Sequence, residues 1–235
     1  MKKTIAVITL MLLLTLTACS SNANKGENHN GESPVNTETP QNQNPETPKP
    51  SPTDQATDSN NSTDDDGPNE AATPDDAAAA VMLALKESDM TTLKAYIHPD
   101  KGLLFSPYAH IDTASAKVFP AEGFPALTDT TVYHFGSYDG SGEPIDLTFQ
   151  QYYDKFVYDK NFLEAESVGK DEIKGTGNMK VNIKEVFPNS YVMDYHFSGF
   201  DAQYEGMDWE SLILVLEELD GAWYVSAIVH SQWTT

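Results

Sequence analysis

The sequence predicts an α+β fold: two N-terminal helices, a hairpin, a third helix, then an antiparallel sheet of four further strands, all behind a disordered leader. Three observations carry this reading. Thr73-Pro74-Asp75-Asp76 and Thr148-Phe149-Gln150-Gln151 are both helix-start signatures. The C-terminal quarter is dominated by alternating and β-branched runs. All 11 Tyr, 10 Phe and 3 Trp lie at or beyond Tyr96, so the core-forming chemistry is confined to the second part of the chain.

The elements follow in order. Thr73 suits an N-cap, Pro74 the first helical position, and Asp75 and Asp76 the positive end of the helix dipole. The first helix runs through "AAAAVMLALKES", with Val81, Leu83, Ala84 and Leu85 assigned to its apolar side. A second helix in "DMTTLKAYI" places Met90, Leu93 and Ile97 at helical spacing and stops at His98-Pro99. From Lys101 to Thr128, Pro107, Pro120 and Pro125 break any long element, and the segment reads as irregular. "TTVYHFGSYDGSGEPIDLT" reads as a hairpin turning at Asp139-Gly140-Ser141-Gly142. Thr148 and Gln151 form a capping box for a helix with Phe149, Tyr152, Tyr153 and Phe156 on one face.

After a loop at Gly175 and Gly177 come four strand candidates: "KVNIKEVF", "SYVMDYHFSGF", "WESLILVLEEL" and "AWYVSAIVHSQW". In the second, Tyr191, Met193, Tyr195 and Phe197 face one way, and Val192, Asp194, His196 and Ser198 the other. The third is apolar on both faces, which assigns it a central place. Asp220-Gly221 supplies the last tight turn.

This order, with the ending "LDGAWYVSAIVHSQW", resembles the nuclear transport factor 2-like superfamily, which includes the SnoaL-type cyclases. The resemblance covers residues 73–235 and implies a curved sheet wrapped by helices into a cone. A pocket in the cone mouth and frequent dimerisation through the sheet are further implications. It brings no catalytic motif with it.

The front end has its own signature. Lys2 and Lys3 precede an uncharged apolar run from Thr4 to Thr17, which reads as a signal peptide over 1–18. Leu16-Thr17-Ala18-Cys19 resembles the bacterial lipobox, which implies cleavage before Cys19 and a diacylglycerol on its thiol. Two acyl chains give stable anchoring where one is marginal. The implied address is the extracytoplasmic face of the cell membrane, with the bilayer as a partner through Cys19. The whole layout is similar to lipoproteins of Gram-positive bacilli, a likeness that carries no activity with it. Residues 19–72 hold the lipidated Cys19 and a linker of Asn, Pro, Thr, Ser and acids, with Val35 its only strongly apolar residue. Such composition cannot bury enough surface to fold, and reads as a disordered tether. Over about 53 residues its mean reach is roughly 40 Å. Residues 73–235 then form a single α+β domain.

Composition excludes several functions. The net charge is −22, from 36 acidic residues against 14 Lys and no Arg. A chain so charged repels nucleic acid, and no Arg is present to read phosphate or guanine. With the only cysteine lipidated, disulfides, thiolate metal sites and cysteine nucleophiles are excluded. No histidine pair has zinc-like spacing and no HExxH, P-loop or GxGxxG occurs, so no cofactor is expected.

Candidate site residues come from the strands and loops. Asp194 and His196 share a strand face, where a carboxylate can orient an imidazole as a general base. His230 shares its alternation with Tyr224, Ser226 and Ile228, so Tyr108, His196, Tyr224 and His230 make a candidate pocket set. His98 suits a cap on the second helix. Asp139, Ser141 and Glu143 place oxygens at alternate positions, as a calcium loop does, but Pro144 and Gln150 stand where an EF-hand needs Gly and Glu. A hairpin turn explains them better. Core packing explains Trp209 and Trp223, and Trp233 is expected to be exposed. The function expected is a membrane-anchored, non-enzymatic binding module for a small ligand, wall component or envelope protein, with homodimerisation possible for the superfamily. The alternative is a cofactor-independent isomerase, dehydratase or cyclase using Asp194 and His196.

Overall fold

Thr73 accepts a hydrogen bond from the Asp76 amide and starts α1 (Pro74–Glu87), the first element of the computed structural model, which describes residues 71–234. A cap of this kind is worth about 1 kcal/mol. Ser88, at φ +57°, closes the helix in the left-handed region. The buried face is Ala77, Ala78, Val81, Met82, Ala84 and Leu85. Leu83, expected inside, is exposed, and Met82 takes its place. Asp89 caps α2 (Met90–Ala95), which buries Leu93. This helix ends before Ile97, which leaves it to bridge Val225.

The segment expected to be irregular contains two strands, β1 (Leu103–Ser106) and β2 (Lys117–Phe119). The hairpin is present as β3 (Val132–Ser137) and β4 (Pro144–Thr148), a separate two-stranded sheet. The capping box at Thr148 and Gln151 opens α3 (Phe149–Phe156), with all four predicted aromatics buried. A short β5 (Ser167–Lys170) follows. The run "KVNIKEVF" is not a strand: it folds as a single helical turn, α4 (Ile183–Val186). Ile183 and Phe187, four apart, both turn inward, a spacing that suits one helical turn as well as a strand. Then come β6 (Tyr191–Phe197), β7 (Glu210–Leu219) and β8 (Ala222–Gln232).

The molecule is therefore mixed α+β with a curved main sheet, six strands wide, in the order β2-β1-β8-β7-β6-β5. β7 is central, as its two apolar faces require. The β1–β8 pair is parallel and the other pairs are antiparallel. The sheet is thus mixed rather than wholly antiparallel.

One face of the sheet packs against α1, α3 and the hairpin, over a core rich in aromatics. Phe105 lies 5.6–6.2 Å from Phe119, Phe124, Phe149 and Tyr152, mostly edge-on, and Tyr152 stacks on Phe135 at 3.9 Å. Such pairs add about 0.5–1.5 kcal/mol each beyond area burial. The other face holds Leu104, Val192, Ile213, Val215, Ala227 and Val229 beneath Ile183 and Phe187. Asn182 pins that cover, accepting from the Ile111 amide at 2.7 Å and donating to the Ile111 carbonyl at 3.0 Å.

β8 carries an irregularity that decides which residues meet. Val215 pairs with Ala227 but Leu216 pairs with Val225, so Ser226 is an extra residue. Its hydroxyl donates to Glu217 at 2.7 Å, and Glu217 in turn takes Lys101 at 2.7 Å. The alternation of the strand flips there.

Candidate functional site

The bulge separates the residues that simple alternation put together. His230 pairs with Leu212 and faces the helices, whereas Tyr224 faces the opposite side, 6.0 Å from His98. His196 pairs with Ser211, on the side of the sheet that carries Val192 and Ile213. His196 and His230 thus lie on opposite faces and do not converge. The four residues Tyr108, His196, Tyr224 and His230 do not line one pocket. His98 is no helix cap either: its Nδ1 accepts the amides of Asp100 and Lys101, and burial lowers its pKa.

Asp194 is fully buried. Its Oδ2 accepts the Lys174 amide at 2.6 Å and the Gly175 amide at 3.2 Å, while Oδ1 has no partner. Burial raises its pKa, against the lowering pull of Ser211 and these amides. His196 Nδ1 shares a 2.9 Å hydrogen bond with the Ser211 hydroxyl. Gly175 seals the site: a Cβ there would lie 2.3 Å from the Trp209 ring and 2.8 Å from Ser211 Oγ. Asp194 therefore organises the 174–175 backbone and is closed off from solvent.

A second polar cluster lies on the helix-covered face, and no spacing in the chain marks it. Asp159 comes from the turn after α3, Glu210 begins β7, and His230 lies near the end of β8. One ligating atom from each lies within 4.8 Å of the other two. His230 Nε2 is 3.2 Å from Glu210 Oε1 and 3.9 Å from Asp159 Oδ1. Lys160 Nζ binds the outer oxygens, Asp159 Oδ2 at 2.7 Å and Glu210 Oε2 at 3.2 Å. Phe156 stands edge-on to the His230 ring at 5.7 Å. Burial, reinforced by the Glu210 carboxyl beside it, pushes the Asp159 carboxyl up to about 6. Burial raises Glu210 too, but the His230 imidazole and the other groups around it outweigh this and bring it to about 2. Between about pH 2 and pH 6 the pair holds one proton, and above that both carboxyls are ionised.

Tyr108 occupies a third position. It lines a cavity of about 150 Å³ with Ser106, His110, Asp112, Phe135 and Ser137. It also lines a shallower cleft of about 190 Å³ with Asp139, Gln232, Trp233 and Thr234. Its hydroxyl accepts the Asp139 amide at 3.1 Å, and Phe156 supports its ring edge-on at 6.2 Å. Burial raises its pKa, keeping it a neutral phenol. His110 donates from Nδ1 to the Lys180 carbonyl at 3.2 Å. Trp233 is 41% exposed, as expected, whereas Trp209 is buried and Trp223 half-buried against Tyr191.

Asp139, Ser141 and Glu143 form a tight turn. Ser141 Oγ accepts the Glu143 amide at 3.2 Å, the Gly142 amide donates to the Tyr138 carbonyl, and all three residues are exposed. The signal peptide, Cys19 and the linker through residue 70 lie outside the described residues, whereas Ala71, assigned to the linker, is buried and accepts the Trp223 amide. No family model matches the chain, and neither a curated protein nor a solved structure matches it.

Proposed function

We propose that this chain is a lipid-anchored, extracytoplasmic binding module, carried on its linker and directed at the glycan of the cell wall. The observation that supports it most is the placing of Tyr108 between two clefts, with exposed Trp233 on the rim of one. A cavity of about 150 Å³ has room for one ring, about what holds a benzene, and no whole metabolite. Two such clefts side by side suit successive units of a polymer. Their walls mix aromatic faces with short polar groups, Ser137, Asp139, His110 and Gln232, the chemistry that fixes a sugar. The interior favours a binding role over a cyclase-like one. Phe105, Phe135, Phe149 and Tyr152 pack the space between sheet and helices, and none is more than 1% exposed.

Purified cell-wall sacculi, sedimented with the full chain in detergent, test this reading. The wild type is expected to co-sediment, and Tyr108→Ala and Trp233→Ala each to weaken binding about tenfold. Val132→Ala, at an exposed site on the hairpin, serves as the control and should bind normally. A wild type that stays in the supernatant, or a Tyr108→Ala/Trp233→Ala double variant that sediments fully, overturns it.

A further inference from the structure

Asp159, Glu210 and His230 lie on three separate elements and form a cluster that the binding reading does not use. We propose that they are a divalent transition-metal site, with zinc the best-suited ion. Two carboxylates and an imidazole are the donor set that zinc and its neighbours take, whereas calcium demands six or more oxygens. Zinc bonds of about 2.1 Å in tetrahedral geometry separate their ligand atoms by about 3.4 Å. The Nε2 atom of His230 stands 3.2 Å from one carboxylate and 3.9 Å from the other, which brackets that separation.

Two further observations point to a missing ligand. Asp159 Oδ1, aimed at Nε2, is buried and has no hydrogen-bond partner. His230 is only 1% exposed, and its Nε2 is turned toward both carboxylates. Buried polar atoms in folded proteins are nearly always satisfied, so an oxygen left open at this spot needs an explanation. Lys160 does not supply it. Its ammonium holds Oδ2 and Oε2 from outside and leaves Oδ1, Oε1 and Nε2 facing one another. In that position it acts as an outer-sphere support for the two carboxylates.

Charge agrees. The carboxylates carry two negative charges and Lys160 offsets one. A divalent ion brings the cluster to one net positive charge, with a fourth position open to water or to an anionic group. Entry passes Lys160, whose side chain is 37% exposed and lies over the exposed Phe200 ring.

Zinc titration of the full chain in detergent, after chelator treatment, is the test. Calorimetry and metal analysis are expected to show one zinc per chain, retained through dialysis, with a raised thermal midpoint. Asp159→Asn and Glu210→Gln should each weaken binding at least tenfold and abolish the thermal shift. Glu87→Gln, exposed at the end of α1, should leave both unchanged. If Glu210→Gln fails to fold, Asp159→Asn alone decides, because its side chain keeps the shape and sits at the edge of the cluster. Cobalt gives an independent reading: a tetrahedral visible spectrum in the wild type, absent in Asp159→Asn. The proposal is overturned by a wild type that retains no zinc, or by one whose zinc binding survives Asp159→Asn unchanged. Binding to wall sacculi is a separate measurement on separate residues, so either idea can fail without the other.

Discussion

At the scale of single residues, Asp159 and Glu210 show how burial divides two like groups. Both are carboxylates, and both lie within reach of Lys160. Glu210 has the His230 imidazole at 3.2 Å and stays ionised, so the proton settles on Asp159, whose carboxyl titrates near about 6. A raised carboxyl binds its proton more tightly in the folded chain than in the unfolded one. The stability it contributes is therefore complete below about pH 4 and is lost as pH rises to about 6. Glu210, held low, acts in the opposite sense, and its contribution is lost only as pH falls below about 4 toward 2. Asp159→Asn keeps a donor toward Glu210 and removes the titration. Denaturant unfolding with chelator present should show the variant gaining roughly 2 kcal/mol on the wild type between pH 4 and pH 7. Parallel stability curves for the two proteins would show that Asp159 titrates normally.

At the scale of elements, α3 depends on its first turn. It has only eight residues, and four of them, Phe149, Tyr152, Tyr153 and Phe156, are buried in the aromatic core. So short a helix does not hold its own shape without packing and caps. Thr148→Ala removes the acceptor that the Gln151 amide uses, at a cost of about 1 kcal/mol. The thermal midpoint should fall by about 2–4 °C, and an unchanged midpoint would mean that packing alone sets the start of α3. This helix was legible because a cap and an apolar face four residues wide are local signals. So were α1, the β3–β4 hairpin and β6 to β8. What escaped the sequence depends on distant partners. β1 is "LLFS", a fully buried run with no alternation, and its strand form rests on parallel pairing with β8 more than 100 residues on. Ile183 and Phe187 fit a strand or a helical turn equally, and the Asn182 clamp on Ile111 decides between them. The extra residue at Ser226 has no local mark at all, yet it alone turns Tyr224 away from His230. For the same reason the Asp159–Glu210–His230 cluster was hidden: its three members are 20 to 71 residues apart and meet only once β7 and β8 pair.

At the scale of the whole molecule, the described residues cover both faces of the main sheet: α1 lies over β6 to β8, and the far face is covered by the segment around α4. With both faces covered, anchoring and folding are expected to separate. On the proposed anchor, a diacylglycerol on Cys19 would supply the two chains that stable anchoring requires, and the charge of −22 would give an anionic membrane no other hold on the chain. Cys19→Ala is therefore expected to move the protein from the membrane pellet to the soluble extracytoplasmic fraction. Its thermal midpoint should equal that of the anchored protein in detergent. Retention of the variant in the pellet would mean that the apolar run from Thr4 to Thr17 stays attached and anchors the chain by itself. A lower midpoint after release would mean that the folded domain draws stability from the membrane, and that its core is less complete than its buried aromatics imply.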